Sequence, residues 1–187
     1  MITNSTYNMS RQTNPKRKEL MNDCTRFGIV HILEKFKDRL PQKKPKIHHL
    51  ARVVYSDYLL ITKCDSKWMC HCLTCSSILP RNNQYMHPWH FRTAGSSLKY
   101  KFVDDNVRPQ CYSCNVWKNW NYQVYTLHMI DMFWRERVDN ILSDQEMITI
   151  KNREYAEKIL TWYNILQERK TSLELKNTTT VSTFYTL

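Results

Sequence analysis

A chain of 187 residues with 42% hydrophobic side chains suits one packed domain, or a small core with helical additions; 2 glycines and 6 prolines exclude a linker or low-complexity protein. The net charge of +11, from 28 basic and 17 acidic residues, points to a polyanionic partner, nucleic acid before an anionic membrane. No apolar run approaches a transmembrane helix and the polar N-terminus does not resemble a secretory signal, so a membrane location is not expected.

Residues 1–49 are read as a basic N-terminal arm with one helix. The polar stretch 1–23 carries a basic knot at Lys16, Arg17 and Lys18. From Thr25 to Leu40, apolar residues at Ile29, Ile32, Leu33, Phe36 and Leu40 fall at helical spacing, and Pro41 ends the pattern. Pro-Gln-Lys-Lys-Pro-Lys at 41–46 reads as an extended basic linker. The first fifty residues hold 11 basic and 4 acidic side chains, more than half of the net charge. This stretch is either a DNA-gripping arm or a solvated tail.

Residues 50–122 hold a helix and the chemically dense part of the chain. Leu50, Val53, Val54, Tyr58 and Ile61 share one face of a helix over 50–61. Two Cys-x-x-Cys pairs follow, Cys72/Cys75 and Cys111/Cys114. Each pair folds as a tight turn with both sulfurs inward, so the four can surround one tetrahedral Zn²⁺. Cys70-His-Cys72 offers an alternative register, but the Cys72/Cys75 spacing matches that of Cys111/Cys114. Cys24, Cys64 and Cys70 are then ordinary thiols. An odd number of cysteines, four of them in metal spacing, favours a reducing cytoplasm with bound zinc over a disulfide scaffold.

Between the pairs there is room for a β-hairpin, and there lie His87 and His90; Asn115 follows the last cysteine. Sulfur-only ligation makes the zinc structural and leaves no position for water. If DNA is cleaved, another group must activate water and another ion must offset charge. His90 suits the first role, because a neutral imidazole near pH 7 can take a proton. His87 and Asn115 suit the second, each offering one ligand to Mg²⁺, or to Mn²⁺ given the softer imidazole. The competing reading makes the two histidines ligands of a second zinc, or hydrogen-bonded surface residues.

Residues 123–170 are expected to be helical. Leu127, Ile130, Trp134, Val138 and Ile141 share one face within 121–141. Ser143-Asp-Gln-Glu146 reads as a capping box opening a helix that runs to about Lys170, with Met147, Tyr155, Ile159, Trp162 and Leu166 apolar. That Trp and Tyr stripe is either a partner surface or plain helix packing. Residues 171–187, rich in Thr and Ser, show no period and are expected to form a disordered tail.

The words Cys72-Leu-Thr-Cys75, His90-Phe-Arg-Thr-Ala-Gly95, Leu98-Lys-Tyr100 and Asp105-Asn-Val-Arg-Pro-Gln-Cys-Tyr-Ser-Cys-Asn115 resemble the HNH, or ββα-metal, nucleases, most closely the NinG/Rap-type phage recombination endonucleases. Weaker matches extend the resemblance over roughly residues 50–170. It implies an α+β fold, a small zinc-stapled ββα-metal (HNH, treble-clef-like) core flanked by several α-helices. It implies structural zinc on the four cysteines, His90 as general base, and catalytic Mg²⁺ or Mn²⁺ held by His87 and Asn115. Asn106 would shape the loop that orients the base, and Arg92 would contact phosphate. Ser76 and Ser77 stand where a glycine is common, so that turn calls for strain or a different conformation. Pro88-Trp89 and Lys118-Asn-Trp-Asn121 also depart from the pattern.

The leading expectation is therefore a metal-dependent endonuclease that hydrolyses branched DNA, such as Holliday junctions and D-loops. A non-catalytic zinc-stapled nucleic-acid-binding module and an HNH nuclease on linear duplex are the alternatives. Partners would be branched DNA, a second copy of the chain in a homodimer built on the helices, and recombination proteins. The location would be cytoplasmic, the host's cytoplasm for a phage-encoded chain.

Overall fold

The computed structural model describes residues 15–82 and 84–182, with side chains over 18–82 and 84–175. The expectations for residues 1–14, and for the side chains of Lys16 and Arg17, lie outside the described residues. Helices α1 (Pro15–Arg26), α2 (Val30–Phe36) and α3 (Ile47–Lys63) precede four short strands, β1 (Met69–His71), β2 (Ile78–Pro80), β3 (Met86–His90) and β4 (Val107–Cys111). Helices α4 (Tyr122–Ser143) and α5 (Asn152–Ser182) follow. The strands form two antiparallel pairs, β1 with β2 and β3 with β4. The architecture is α+β, with helices enclosing two small antiparallel sheets.

Helix α3 is the centre of the molecule. The face expected from sequence is buried at Leu50, Val53, Val54 and Ile61, and so are Ile47, Ala51, Tyr55, Leu59 and Leu60. A helix apolar on most of its circumference must be covered on several sides. Helix α5 supplies the largest cover, through Tyr155, Ile159, Trp162 and Leu166. The aromatic stripe is thus packing within the chain. Tyr55, Phe102 and Trp162 form a cluster with ring centroids 4.9–5.2 Å apart, tying α3, α5 and the loop after β3 together. Of the apolar faces read in sequence as surface for a second copy, those of α3 and α5 cover each other, whereas Leu127 and Trp134 of α4 are exposed.

Several expected elements differ, each for a local reason. The helix expected over 25–40 is divided, because Gly28 adopts φ +71°, a left-handed conformation that ends α1 and lets α2 start in a new direction. Helix α4 is broken at Trp134, whose φ of 67° and ψ of 150° are not helical. The break shifts the inward face. Tyr125 and Met129 are buried before it, Val138 and Ile141 after it, while Leu127 and Trp134 are exposed.

No capping box forms at Ser143–Glu146. Ser143 ends α4, the chain leaves the helix at Asp144, and the acids are used elsewhere: Lys99 Nζ donates to Asp144 Oδ2 at 2.6 Å and to Glu146 Oε2 at 2.5 Å. Tyr100 also donates its hydroxyl to Asp144 Oδ2 at 2.7 Å. Helix α5 starts only at Asn152, and it continues past Lys170 to Ser182, with Leu173 fully buried in the main core. The expected disordered tail is therefore helical as far as Ser182. One buried leucine was enough to extend the helix where periodicity had run out. No helix among the described residues is long and apolar enough to cross a membrane.

Trp162→Ala should lower unfolding free energy by about 3–5 kcal/mol, as for other large aromatic deletions in cores. Urea denaturation measures this.

Candidate functional site

The cysteine cluster is assembled by two turns. Cys72 and Cys75 lie on the turn joining β1 to β2; Cys111 ends β4 and Cys114 lies on the π-helical turn Ser113–Trp117. The first turn is closed by Ser76 N donating to Cys72 O at 2.9 Å, with Ser76 held at φ +58°. The strain expected from a serine in a glycine's place is present. Leu73 N donates to Pro109 O at 3.0 Å and docks that turn on β4. The amides of Cys111 and Cys114 donate to the sulfurs of Cys72 and Cys111, at 3.2 and 3.4 Å.

All four sulfurs lie within 4.8 Å of one another. A Zn–S bond of about 2.3 Å in a tetrahedron puts sulfurs about 3.8 Å apart, and Cys75 Sγ and Cys111 Sγ are 3.8 Å apart. Burial pushes the Cys111 and Cys114 thiols up. Burial also raises Cys75, but hydrogen bonds from Ser77 and neighbouring sulfurs outweigh it and bring that thiol down to about 6. Four sulfurs this close can be ionised together only with a cation between them. The cluster fits a structural metal such as zinc. Cys64 and Cys70 stand outside it, their sulfurs directed to Ile61 O and Leu60 O at 3.2 and 3.3 Å, so the alternative Cys70–Cys72 register is not adopted.

The other half of the site lies on the β3–β4 hairpin. His90 ends β3 opposite Val107, and His87 lies opposite Gln110. Both histidines line a cleft of about 690 Å³ with Asn115 and with Arg39, Arg52 and Lys101. The structure therefore gathers three of the residues singled out from sequence, in an electropositive pocket. The three basic residues were not singled out. Arg52 lies on α3, Arg39 on the turn before it and Lys101 on the loop after β3, so no local motif joins them.

His90 Nε2 is 2.9 Å from Lys101 O. A carbonyl oxygen only accepts, so Nε2 carries the ring proton and Nδ1 keeps its lone pair. Burial, more than the nearby Lys101 charge, holds His90 below its ordinary 6.5, with the Lys101 carbonyl opposing. The ring is neutral near pH 7, with one nitrogen able to accept a proton. Also on the hairpin side, Asn115 Nδ2 and His87 Nδ1 are 2.7 Å apart, and His87 meets Tyr112 edge-on. With the amide turned so that Oδ1 faces inward, the pair offers one oxygen and one nitrogen donor. Octahedral ligands about 2.1 Å from a small divalent ion sit about 3 Å apart, so the pair's spacing and donor types fit such an ion.

Asn106 is fully buried and does not face the cleft. Its Nδ2 donates to Arg92 O and Tyr100 O at 2.9 and 3.0 Å, and its Oδ1 accepts from Arg92 N at 2.7 Å. It clips the end of β3 to the loop whose Lys101 carbonyl holds His90, which makes it a positioning residue. Arg92, read from sequence as a phosphate contact, is turned away. Its Nη1 donates to Ile141 O at 2.8 Å and to Asp144 O, and its guanidinium lies over the Tyr100 ring. Arg92 fastens the end of α4, and it is absent from the cleft lining.

The fold and site define a mixed helical and antiparallel protein with a four-cysteine cluster able to hold a metal beside a basic, histidine-lined cleft. A family model described as bacteriophage lambda NinG protein matches residues 34–171, and the chain belongs to that family. No curated protein and no solved structure matched the chain.

Cys114→Ser should abolish metal binding and the cooperative melting of the β region, because structural zinc typically couples ~10–16 kcal/mol of binding to folding. Metal analysis should find one zinc per wild-type chain; a metal-free protein with the same melting curve would refute the assignment. Asn106→Asp should cost about 1–3 kcal/mol, since a carboxylate would face two carbonyl oxygens where an amide N–H now donates. Thermal melting with zinc analysis separates this loss from loss of metal.

Proposed function

We propose that the chain is a metal-dependent DNA endonuclease that hydrolyses branched recombination intermediates, Holliday junctions and D-loops among them. The observation that carries this reading is the shared cleft. A neutral His90 with Nδ1 unprotonated sits in one pocket with His87, Asn115 and three basic residues. The β3–β4 hairpin, with the base at the end of its first strand and helix following its second, supports a ββα-metal, HNH-type core. Membership of the phage NinG family supports recombination intermediates as the substrate class.

A Mg²⁺ or Mn²⁺ ion held by His87 and Asn115 would supply charge stabilisation at the scissile phosphate. Arg39, Arg52 and Lys101 bind and orient the flanking phosphates. His90 Nδ1 takes a proton from water as the water oxygen bonds to phosphorus and the bond to the 3′-oxygen breaks. The leaving oxygen is then protonated from solvent, giving a 5′-phosphate and a 3′-hydroxyl. The Lys101 carbonyl favours the imidazolium formed, because it continues to accept from Nε2. The proposal includes two copies per junction, since paired cuts need two clefts. Their contact would fall on α4, where Leu127 and Trp134 are exposed.

His90→Ala should cut four-way DNA ~10²–10⁴-fold more slowly while keeping zinc, folding and DNA affinity. Labelled junction, nicked and linear DNA incubated with Mg²⁺, Mn²⁺ or EDTA measure this. Because burial lowers the His90 pKa, cleavage should hold its plateau through pH 6.5, the ordinary histidine value. It should fall only at lower pH, as Nδ1 becomes protonated. Tight binding without cleavage in any metal would identify a binding module instead, and equal cutting of linear and four-way DNA would remove the branch selectivity.

A further inference from the structure

The cleft is bordered on its Asn115 side by exposed aromatic rings that the hydrolytic chemistry does not use. Trp120 is 45% exposed and stacks on the cleft-lining Trp89, with ring centroids 5.3 Å apart and planes at 27°. Tyr112 is 43% exposed and meets His87 edge-on at 5.6 Å. Trp117, in the same segment, is 77% exposed. Large indoles left in water are unfavourable unless a ligand covers them.

The backbone presenting Trp120 is costly to build. Asn119, Trp120 and Asn121 have φ of 46°, 69° and 46°, three successive non-glycine residues in the left-handed region. Each such residue costs about 1–3 kcal/mol unless its surroundings hold it. They do hold it: the buried Gln110 donates Nε2 to Trp120 O at 2.7 Å and to Thr74 Oγ1 at 2.8 Å. Gln110 is paired with His87 across the hairpin, so the strained turn is anchored to the strand that lines the cleft. The indole nitrogen of Trp89 is buried with no hydrogen-bond partner among the described residues, so a polar group of the site is left unsatisfied.

We infer that Trp120, backed by Trp89 and flanked by Tyr112, is a stacking platform for an unpaired base of the bound strand. The inference rests on the nuclease reading of the cleft, and it adds what that reading lacks, a means of telling branched DNA from plain duplex. The charge argues for the same occupant. Arg39, Arg52 and Lys101 line the cleft for phosphates, and a strand crossing it carries its bases alongside. In an intact duplex every base is already stacked on its neighbours. At a branch point the continuous stack is interrupted, and a D-loop also carries a displaced single strand, so bases there can take up an aromatic face that a duplex base cannot.

The test uses the full zinc-loaded chain without Mg²⁺ or Mn²⁺, and two probes of equal length, oligothymidylate and an oligomer of abasic residues. Both carry the same phosphates, so only stacking separates them. Fluorescence anisotropy should show wild type binding oligothymidylate about 5- to 150-fold more tightly, the range for stacking one base on an aromatic ring. Quenching of tryptophan fluorescence should accompany oligothymidylate only. Trp120→Leu should bind both probes alike, at the wild-type abasic level, with zinc content and melting unchanged; Trp120→Tyr should restore the preference. Equal wild-type binding of the two probes overturns the platform, as does a Trp120→Leu chain that keeps the preference, or a wild-type chain that binds neither. Cleavage of junctions in Mg²⁺ is scored separately. Cleavage without base preference removes the platform and leaves the nuclease, whereas base preference without cleavage does the reverse.

Discussion

Four sulfurs within 4.8 Å of one another join the turn after β1 to the turn after β4. Strands of three and five residues in two-stranded sheets are marginal in water, because each pair has too few hydrogen bonds and too little covered surface. The cysteine cluster supplements the core in which Met86, Val107, Cys72, Cys111 and Cys114 are buried. It fixes the end of β4, and with it the register that places His87 and His90 opposite Gln110 and Val107. It also fixes Asn115, one residue past Cys114. Every donor aimed into the cleft from the hairpin side is positioned from this point.

The opposite wall is positioned by packing. Arg52 and Val53 reach the cleft from α3, whose remaining circumference is buried against α5 and the N-terminal helices. The loop from Phe91 to Asn106 connects the two halves. Asn106 ties it to β3, Phe102 inserts between Tyr55 and Trp162, and Lys101 O holds the ring of His90. The loop is held without regular structure because the Asn106 amide bonds three of its backbone groups and Phe102 anchors it in the aromatic cluster.

Much of this was legible in the sequence where spacing maps directly onto geometry. The Cys-x-x-Cys pairs became one sulfur cluster, and the apolar positions of α3 and α5 became core, because periodicity and turn chemistry are local properties. The histidine and asparagine positions followed from the hairpin between the cysteine pairs. What escaped was non-local or conformational. The break at Trp134 carries no glycine or proline to announce it. Asp144 and Glu146 had the pattern of a helix start, but Lys99 and Tyr100, distant in sequence, compete for those carboxylates. Arg92 had the charge for a phosphate contact, yet the carbonyls ending α4 were nearer. The basic lining of the cleft comes from three separate elements, which only the tertiary arrangement brings together.

The order in which the chain is synthesised interacts with this design. The strands and all four cysteines are made before α5, so a growing chain has the whole sulfur cluster and the hairpin in hand early. The α3 wall cannot settle until Trp162 arrives to fill the space beside Tyr55 and Phe102. Domains assemble as their cores become complete during synthesis. A chain still lacking α5 has all four sulfurs of the cluster but only one finished wall of the cleft.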